Sequence, residues 1–238
     1  MPTTPLGTAS RTARDRARIE LTEEIKTVAR RHLAEQGSAA LSLRAVAREV
    51  GMVSSAVYRY FPSRDDLLTA LIIDAYDAVG ERAEAAERDA HGRGIGARCL
   101  SVCEAVRAWA LENAHEYSLI YGSPVPGYAA PQSTIAPASR VPAVLLGLLA
   151  DGTSTGEIAI GPTPTMSRAT RSDFAQLRRL AAPGVPDAVL SRGLGVWAQV
   201  LGTINLEMFG HLHNVIHDYD AFFEMQMRRA AQFLVSGQ

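Results

Sequence analysis

Apolar side chains recur at intervals of three and four residues through most of the chain, and glycine or proline residues interrupt them. Such spacing places the apolar side chains on one face of a helix and predicts an all-α protein. The first helix is expected from residue 14 to residue 36, where Gly37 ends it. Its buried stripe is predicted to contain Ile25, Val28, Ala29 and Leu33.

Two short helices joined by a tight turn are predicted between residues 42 and 61. Ser42 is a suitable N-cap for the first, and Gly51 provides the left-handed backbone that ends it. Ser54 or Ser55 is expected to cap the second. The residues predicted to point outward there are short, hydroxyl-bearing, aromatic or basic: Ser54, Ser55, Ala56, Tyr58, Arg59 and Tyr60. A helix this slim fits a DNA major groove, although an αα-hairpin of an ordinary bundle has the same pattern.

A long helix is expected to start after Ser63, which has the spacing of a capping box with Asp66. At about 36 Å it would connect the N-terminal helices to the rest of the chain. The segments predicted next are a loop at 91–96, helices at 97–114, 116–121 and 137–150, and a polar loop at 151–172. Two final helices are expected, one from its N-cap Asp187 to residue 213 and one from Asp218 or Asp220 to residue 235.

The first of these two final helices is apolar nearly all round, which indicates burial on two sides. With its C-terminal neighbour it is expected to form a four-helix seam between two copies of the chain. The glycines of this helix would allow close approach of the helices. The side chains predicted for the dimer interface are Trp197, Leu201, Phe209, Phe222 and Met225.

The charges divide unevenly along the chain. Residues 10–64 contain eleven basic and six acidic side chains, whereas the whole chain of 238 residues has a net charge of −1. An excess of positive charge at one end is typical of a segment that binds phosphate groups. Residues 1–13 are expected to form a disordered basic arm. Arg11 and the arginines that follow it, Arg14, Arg16 and Arg18, are expected to lie along a DNA backbone or in a minor groove.

Several classes of protein are not predicted. No apolar run approaches the ~20 residues that a membrane-spanning helix requires, and the polar N-terminus lacks the apolar segment of a secretory signal. The chain is therefore expected to be cytoplasmic, without a membrane partner. It shows no nucleophile motif, redox motif or nucleotide-binding loop, so neither an enzyme nor a cofactor is predicted. His211 and His213 cannot share a helix face, and no metal site is predicted.

Cys99 and Cys103 lie one turn apart in the helix predicted at 97–114. Two such thiols can bind a soft metal or respond to oxidants. Free cysteine is also among the most buried residue types, and a structural role is favoured. A regulator that senses thiol oxidation or a metal through these two residues is the alternative function.

Residues 18–68 closely resemble the N-terminal signature of the TetR family of bacterial transcription regulators. The resemblance rests on Gly51, on the run Tyr58-Arg59-Tyr60-Phe61, and on Arg64 before Leu67 and Leu68. A weaker resemblance to one C-terminal domain of the same family lies at residues 197–207, where Trp197, Gly202, Leu206 and Glu207 match. Leu201 stands there in place of the family's histidine.

The resemblance implies roles for single residues. Tyr58 and Tyr60 match positions that bind phosphate, and Arg64 matches a basic residue that holds a phosphate at the start of the fourth helix. Ser42 is implied to contact the DNA backbone, and Arg44 to read a guanine. The remaining positions that face bases in the family hold small side chains here: Ser54, Ser55 and Ala56.

The resemblance also implies the domain organisation. A three-helix helix-turn-helix DNA-binding domain is expected at 14–64, followed by a helical ligand-binding and dimerisation domain at 65–238. The homodimer would repress transcription from a pseudo-palindromic double-stranded operator whose halves lie about 34–36 Å apart. A small, largely apolar effector would release it. Aromatic residues suited to an effector pocket, though equally to an ordinary core, are Trp109, Tyr117, Tyr121 and Tyr128.

Overall fold

A computed structural model of the chain describes residues 13–237, in which every regular element is helical. The α-helices, with short 3₁₀ turns at Ser38–Ala40 and Gln132–Thr134, are α1 (Ala13–Gln36), α2 (Leu43–Glu49), α3 (Ser54–Val57), α4 (Arg64–Asp89), α5 (Ile95–Glu112), α6 (Ala114–Tyr121), α7 (Ile135–Ala138), α8 (Arg140–Thr155), α9 (Arg168–Ala181), α10 (Asp187–Met208) and α11 (Tyr219–Ser236). The all-α prediction is confirmed. The basic arm predicted at 1–13 lies outside the described residues, except that Ala13 begins α1.

The described residues form two compact units. The first extends to Leu71 and includes Val125–Tyr128, and the second contains the remaining residues. The division falls inside α4, which supplies residues to both units. Within residues 13–237 no single helix is long and apolar enough to cross a membrane, and only the bent pair Gln132–Ala138 with Arg140–Thr155 reaches that length and composition.

The core of the first unit is built by α1, α2, α3 and the start of α4. The apolar stripe predicted for α1 is buried, and so are Val46, Val57 and Leu67 on the following helices. His32 on α1 lies with its Nε2 2.7 Å from Oε2 of Glu49 on α2, and Arg31 pairs with the same carboxylate. Glu49 therefore fastens α2 to α1 and is neutralised by α1.

The turn between α2 and α3 has the geometry expected from its glycine. Gly51 has a φ of 76°, and its N–H donates to the carbonyl of Arg48, while the N–H of Met52 donates to that of Ala47. These two bonds form a Schellman motif, which satisfies the carbonyls at the end of α2. The predicted cap of α3 is wrong: its N-cap is Val53, and neither Ser54 nor Ser55 caps the helix, since both lie inside its first turn.

The second unit packs α5 against α8 and α11, and α10 against α8 and α11. Leu148, Leu149, Val196 and Phe223 contribute to its buried core. The loop predicted at 151–172 is shorter than expected, because α8 continues to Thr155 and α9 begins at Arg168. The helix predicted from Asp187 to residue 213 ends at Met208, before Gly210 with its φ of 75°.

A nearly buried ion pair joins α5 to α10. Arg107 donates from Nε and Nη2 to the two carboxylate oxygens of Glu207, at 2.8 and 2.7 Å, and Nη2 also donates to Asp220. The side chains of Arg107 and Glu207 are only 12% and 11% exposed. The hydrogen bonds that Arg107 donates to Glu207 raise the pKa of Arg107. Glu207, which matched the weaker family motif at residues 197–207, thus has a structural role in this chain.

Replacing Glu207 with glutamine should lower the free energy of unfolding by about 2–3 kcal/mol, because the Arg107 cation would keep only the exposed Asp220 as an ionic partner. Urea denaturation followed by circular dichroism measures this change. The control is Glu224→Gln, since Glu224 pairs with Arg228 on the surface of α11 and should contribute less than about 1 kcal/mol. Equal losses in the two variants would contradict the structural role given to Glu207.

Candidate functional site

The outer surface of α2 and α3 carries positive charge without internal compensation. Arg44 and Arg48 lie one turn apart on α2, both exposed, and Arg59 follows α3. None of the three has an ion-pair partner among residues 13–237. The nearby acid, Glu49, is held by α1. This face therefore attracts anions.

One shallow cleft collects the side chains at the junction of α2 and α3. Its lining includes Ser42, Arg44, Arg48, Val53 and Ser54. Ser42 occupies the N-cap position of α2 as predicted, but its hydroxyl makes no capping hydrogen bond. The side chain of Ser54 also makes no capping bond. Hydroxyl donors and two guanidinium groups therefore face the same open space, a combination that suits phosphate and base-edge contacts.

Ala56, Tyr58 and Tyr60 differ in how far they are exposed. Ala56 does not point outward, since it is only 7% exposed and packs in the core of the first unit. The third residue of this four-residue helix faces the core, which the outward assignment missed. Tyr58 is exposed, and Tyr60 is half-buried with the Arg18 guanidinium of α1 over its ring, 5.8 Å from the centroid. Arg18 thereby brings positive charge beside the tyrosine pair.

Arg64 has an internal function that the sequence did not indicate. Its Nη2 donates to the carbonyl of Ser38 at 2.7 Å and its Nε to that of Leu41 at 3.2 Å, while Nη1 pairs with Asp65. These contacts tie the start of α4 to the turn before α2. Ser63 and Asp66 cap α4 as predicted, through a 3.1 Å bond from the Asp66 N–H to the Ser63 hydroxyl.

Three residues of this surface were not among the predicted DNA contacts: Arg48, Val53 and Arg59. The i,i+4 spacing of Arg48 from Arg44 was a usable signal, because both must share a helix face. Val53 gave no such signal, since an aliphatic residue next to a predicted helix start is normally assigned to the core.

The four aromatic residues predicted for an effector pocket lie in different environments. Tyr117 is completely buried, and its hydroxyl donates to Oδ1 of Asn205 at 2.8 Å. Trp109 is also buried in the core. Burial raises the pKa of Tyr117 and of Tyr121. Tyr128 is not part of this group: it belongs to the first unit, where its hydroxyl lies 2.9 Å from Oγ1 of Thr69 on α4.

Tyr121, at the end of α6, is the centre of an aromatic cluster. Its ring lies 5.9 Å from Tyr76, 5.2 Å from Tyr117 and 5.9 Å from Trp197, measured between centroids. The Tyr121 hydroxyl is buried, and no protein group among the described residues hydrogen-bonds it. An unsatisfied buried hydroxyl costs about 1–3 kcal/mol, which makes this atom unusual in a core.

The residues predicted for a dimer seam differ in exposure. Phe209 and Met225 are 45% and 44% exposed, and Leu194 on the same helix as Leu201 is 44% exposed. Leu201, Phe222 and Trp197 are half-buried, and Trp197 packs edge-on against Tyr121 of its own chain. The space beside two helical glycines of α10, Gly195 and Gly202, is open. An open apolar surface therefore extends along α10 and α11.

The two cysteines are core residues. Cys99 and Cys103 are 1% and 2% exposed. Their mutual hydrogen bond and their burial raise the pKa of the Cys103 thiol well above its usual value. Residues 13–237 contain no group of three histidine, cysteine or acidic side chains placed to hold a metal ion. The geometry gives no support to the thiol- or metal-sensing alternative.

Comparison with known families identifies both units. The family described as "Bacterial regulatory proteins, tetR family" matches residues 25–71, and the one described as "Tetracyclin repressor-like, C-terminal domain" matches residues 99–230. The first match covers the helix-turn-helix segment, and the second covers more than half of the chain.

Individual proteins agree with these matches. The HTH-type transcriptional regulator Rv1816 of Mycobacterium tuberculosis is 39% identical over 219 residues, which are 89% of this chain and 91% of that protein. The crystal structure of regulatory protein SCO4313 has a TM-score of 0.75 and 33% identity, covering 92% of this chain and 98% of that one. The structure of RolR in complex with the ligand resorcinol shares the fold at a TM-score of 0.52 and 16% identity, covering 92% and 95%.

Proposed function

Because the chain belongs to the TetR family of bacterial transcription regulators, we propose that it is a homodimeric repressor that a small molecule releases from its operator. TetR regulators bind DNA operators and act as dimers, and the relatives are regulators rather than enzymes. Repression, the effector and action in the cytoplasm are parts of the proposal. The observation that carries it is the row of exposed, uncompensated arginines on α2 and after α3.

The proposed DNA contacts follow from this surface. Arg44 reads a guanine, and the free hydroxyls of Ser42, Ser54 and Ser55 bind phosphates or base edges. Tyr58 and Tyr60 hold the phosphate backbone. Arg64 contributes through the two N–H groups that its internal bonds leave unused, so its main role is to position α4. Ala56 is omitted because it is buried.

The proposed dimer uses the open apolar surface of α10 and α11. Leu201 and Met225 lie on it, Phe209 and Phe222 extend it, and the edge of Trp197 borders it. Helices carrying glycines with open space beside them can approach closely across a twofold axis. Two copies of the arginine face would then bind two half-sites of one operator.

The proposed effector site is centred on the Tyr121 hydroxyl, among Tyr76, Tyr117 and Trp197. Such a surrounding favours a small aromatic molecule with one polar group that hydrogen-bonds the hydroxyl. Resorcinol, the ligand of RolR, is a small aromatic molecule of this kind with two hydroxyl groups. Trp109 is a buried residue of the same core, and Tyr128 lies outside the effector site, in the first unit.

Tyr128 suggests how the effector site communicates with the DNA-binding unit. Only six residues separate it from Tyr121 in the chain, and its hydroxyl bonds Thr69 of α4 within the first unit. We expect effector binding at Tyr121 to shift the end of α6 and, through residues 122–127, to change that contact. The effector needs to favour one state by only about 1–3 kcal/mol to change operator affinity measurably.

Selection of duplexes from a random double-stranded DNA library tests the DNA-binding function. The full chain should enrich one pseudo-palindromic sequence, the selected operator. If the folded protein is present at micromolar concentration and no sequence is enriched, the proposal is contradicted.

Replacing Tyr121 with phenylalanine should weaken the effector response at least about tenfold without harming the apo-protein. Removal of an unsatisfied hydroxyl leaves the free energy of unfolding unchanged or slightly higher, whereas Tyr117→Phe, the control, should lose about 1 kcal/mol with the Asn205 bond. Resorcinol and related phenols are titrated against the complex with the selected operator. We expect the phenol concentration that releases half of the operator to be at least about tenfold higher for Tyr121→Phe, because this variant loses a hydrogen bond worth about 1.4 kcal/mol. Equal release midpoints would exclude Tyr121 from the effector site.

A further inference from the structure

Val53 is an exposed aliphatic residue at the centre of the charged surface. It is the N-cap of α3 and is 72% exposed, whereas Ile19, the other exposed aliphatic residue in the described part of the first unit, is 42% exposed. Its backbone is extended, with φ of −65° and ψ of 139°, so that no strain explains its position.

Most side chains that share a cleft with Val53 are polar or charged, and the two apolar ones, Ala45 and Met52, are half-buried. Val53 lines this cleft together with Ser42, Arg44, Arg48 and Ser54. Neither arginine has an acidic partner among residues 13–237, so the cleft favours a polyanion. A protein or lipid partner held by apolar contact would need a larger apolar patch than one isopropyl group.

Duplex DNA is the polyanion that presents an isolated apolar group of matching size. The major groove displays the C5-methyl group of thymine among hydrogen-bonding base edges, and cytosine and uracil have no methyl group at that position. RNA duplexes present neither the methyl group nor a groove that side chains can enter. The mixture of one exposed apolar side chain with several polar groups in the cleft therefore matches a DNA groove that contains thymine.

We propose that Val53 contacts the methyl group of one thymine in each half of the operator and makes that position specific for thymine. The inference rests on the proposed function, since it requires the α2–α3 surface to bind duplex DNA. Because Val53 and Arg44 line the same cleft, the thymine lies in the same half-site as the guanine that Arg44 reads. Specificity at this position is then apolar and independent of the hydrogen bonds of the serines.

Replacement of thymine with deoxyuridine isolates the methyl group, because it leaves base pairing and backbone charge intact. Each thymine pair of the selected operator is replaced symmetrically, one pair at a time, and the dissociation constant of the full chain is measured. We expect one pair to weaken wild-type binding on the order of tenfold, from two buried methyl contacts. In Val53→Ala the same replacement should weaken binding less than twofold, because the contacting side chain is gone.

The control variant is Leu180→Ala, which truncates a residue 76% exposed in the second unit. It should keep the wild-type profile of deoxyuridine effects, and circular dichroism verifies that both variants fold. The inference is wrong if the wild-type and Val53→Ala profiles coincide, or if no pair shows a methyl effect while the operator still binds. When no operator is selected at all, the proposed function fails, and the role of Val53 fails with it; the two failures are thus distinguishable.

Discussion

Arg44→Ala should weaken binding to the selected operator on the order of a hundredfold. Each dimer carries two copies of Arg44, and a bidentate arginine–guanine contact is worth about 1–3 kcal/mol of discrimination. The side chain is exposed and has no ion-pair partner among the described residues, so that its removal should leave the fold and the urea midpoint unchanged. Fluorescence anisotropy with the labelled operator measures the affinity.

Arg44→Lys separates charge from geometry. Lysine keeps the attraction to phosphate but lacks the planar fork that matches guanine, so binding should become less selective at one base position while remaining salt-sensitive. The control is Arg93→Ala, which removes an exposed arginine from the second unit and should change affinity less than about threefold. Wild-type affinity and selectivity in Arg44→Ala would show that α2 does not enter the groove.

Met225→Glu should convert the dimer into monomers and reduce operator affinity at least about a thousandfold. Met225 is 44% exposed in the single chain, so the substitution is compatible with a folded protomer. At the proposed seam it would place two carboxylates in an apolar interface, where burial of each unpaired charge costs several kcal/mol. A monomer loses the second half-site and with it most of the binding energy.

Sedimentation equilibrium on the variant gives the mass directly. Leu180→Glu is the matched control, because it adds the same charge to an exposed residue of α9 outside the proposed seam. It should remain dimeric and bind the operator normally. If Met225→Glu is dimeric at micromolar concentration, the surface of α10 and α11 is not the interface, and another face must hold the two copies together.

The sequence was informative wherever one residue type has one structural use. Gly51 has the left-handed backbone predicted for it, and Gly37, which was predicted to end α1, follows its last residue with a positive φ that favours glycine. The apolar stripe of α1 is buried as expected, because a 3.6-residue period has a single inward face. Asp218 caps α11 through the Ala221 N–H, as a side-chain acceptor before an apolar helix should.

Prediction failed where tertiary contacts override local preference. Ser54 was a good N-cap by type, yet the chain extends through Val53 and begins the helix one residue earlier. Ala56 is short enough to face either DNA or the core, and only the packing of the first unit decides that it is buried. Arg64 could not be assigned from its charge, because its carbonyl partners lie 23 and 26 residues earlier in the chain.

The effector residues show a similar limit. Tyr117, Tyr121 and Tyr128 are equivalent by type and close in sequence, but one bonds Asn205, one has no protein partner and one bonds Thr69. Hydrogen-bond partners 88 and 59 residues away determine these environments, and no local pattern encodes them. Trp197 was assigned to the seam alone, whereas its ring also completes the Tyr121 cluster.

The stoichiometry and salt dependence of binding to the selected operator test the central claim most directly. Sedimentation velocity with labelled duplex should show two chains per operator. The affinity should fall on the order of a thousandfold between about 50 mM and about 200 mM salt, as six or more phosphate contacts require. A monomeric chain whose affinity for duplex DNA does not change with salt would contradict it.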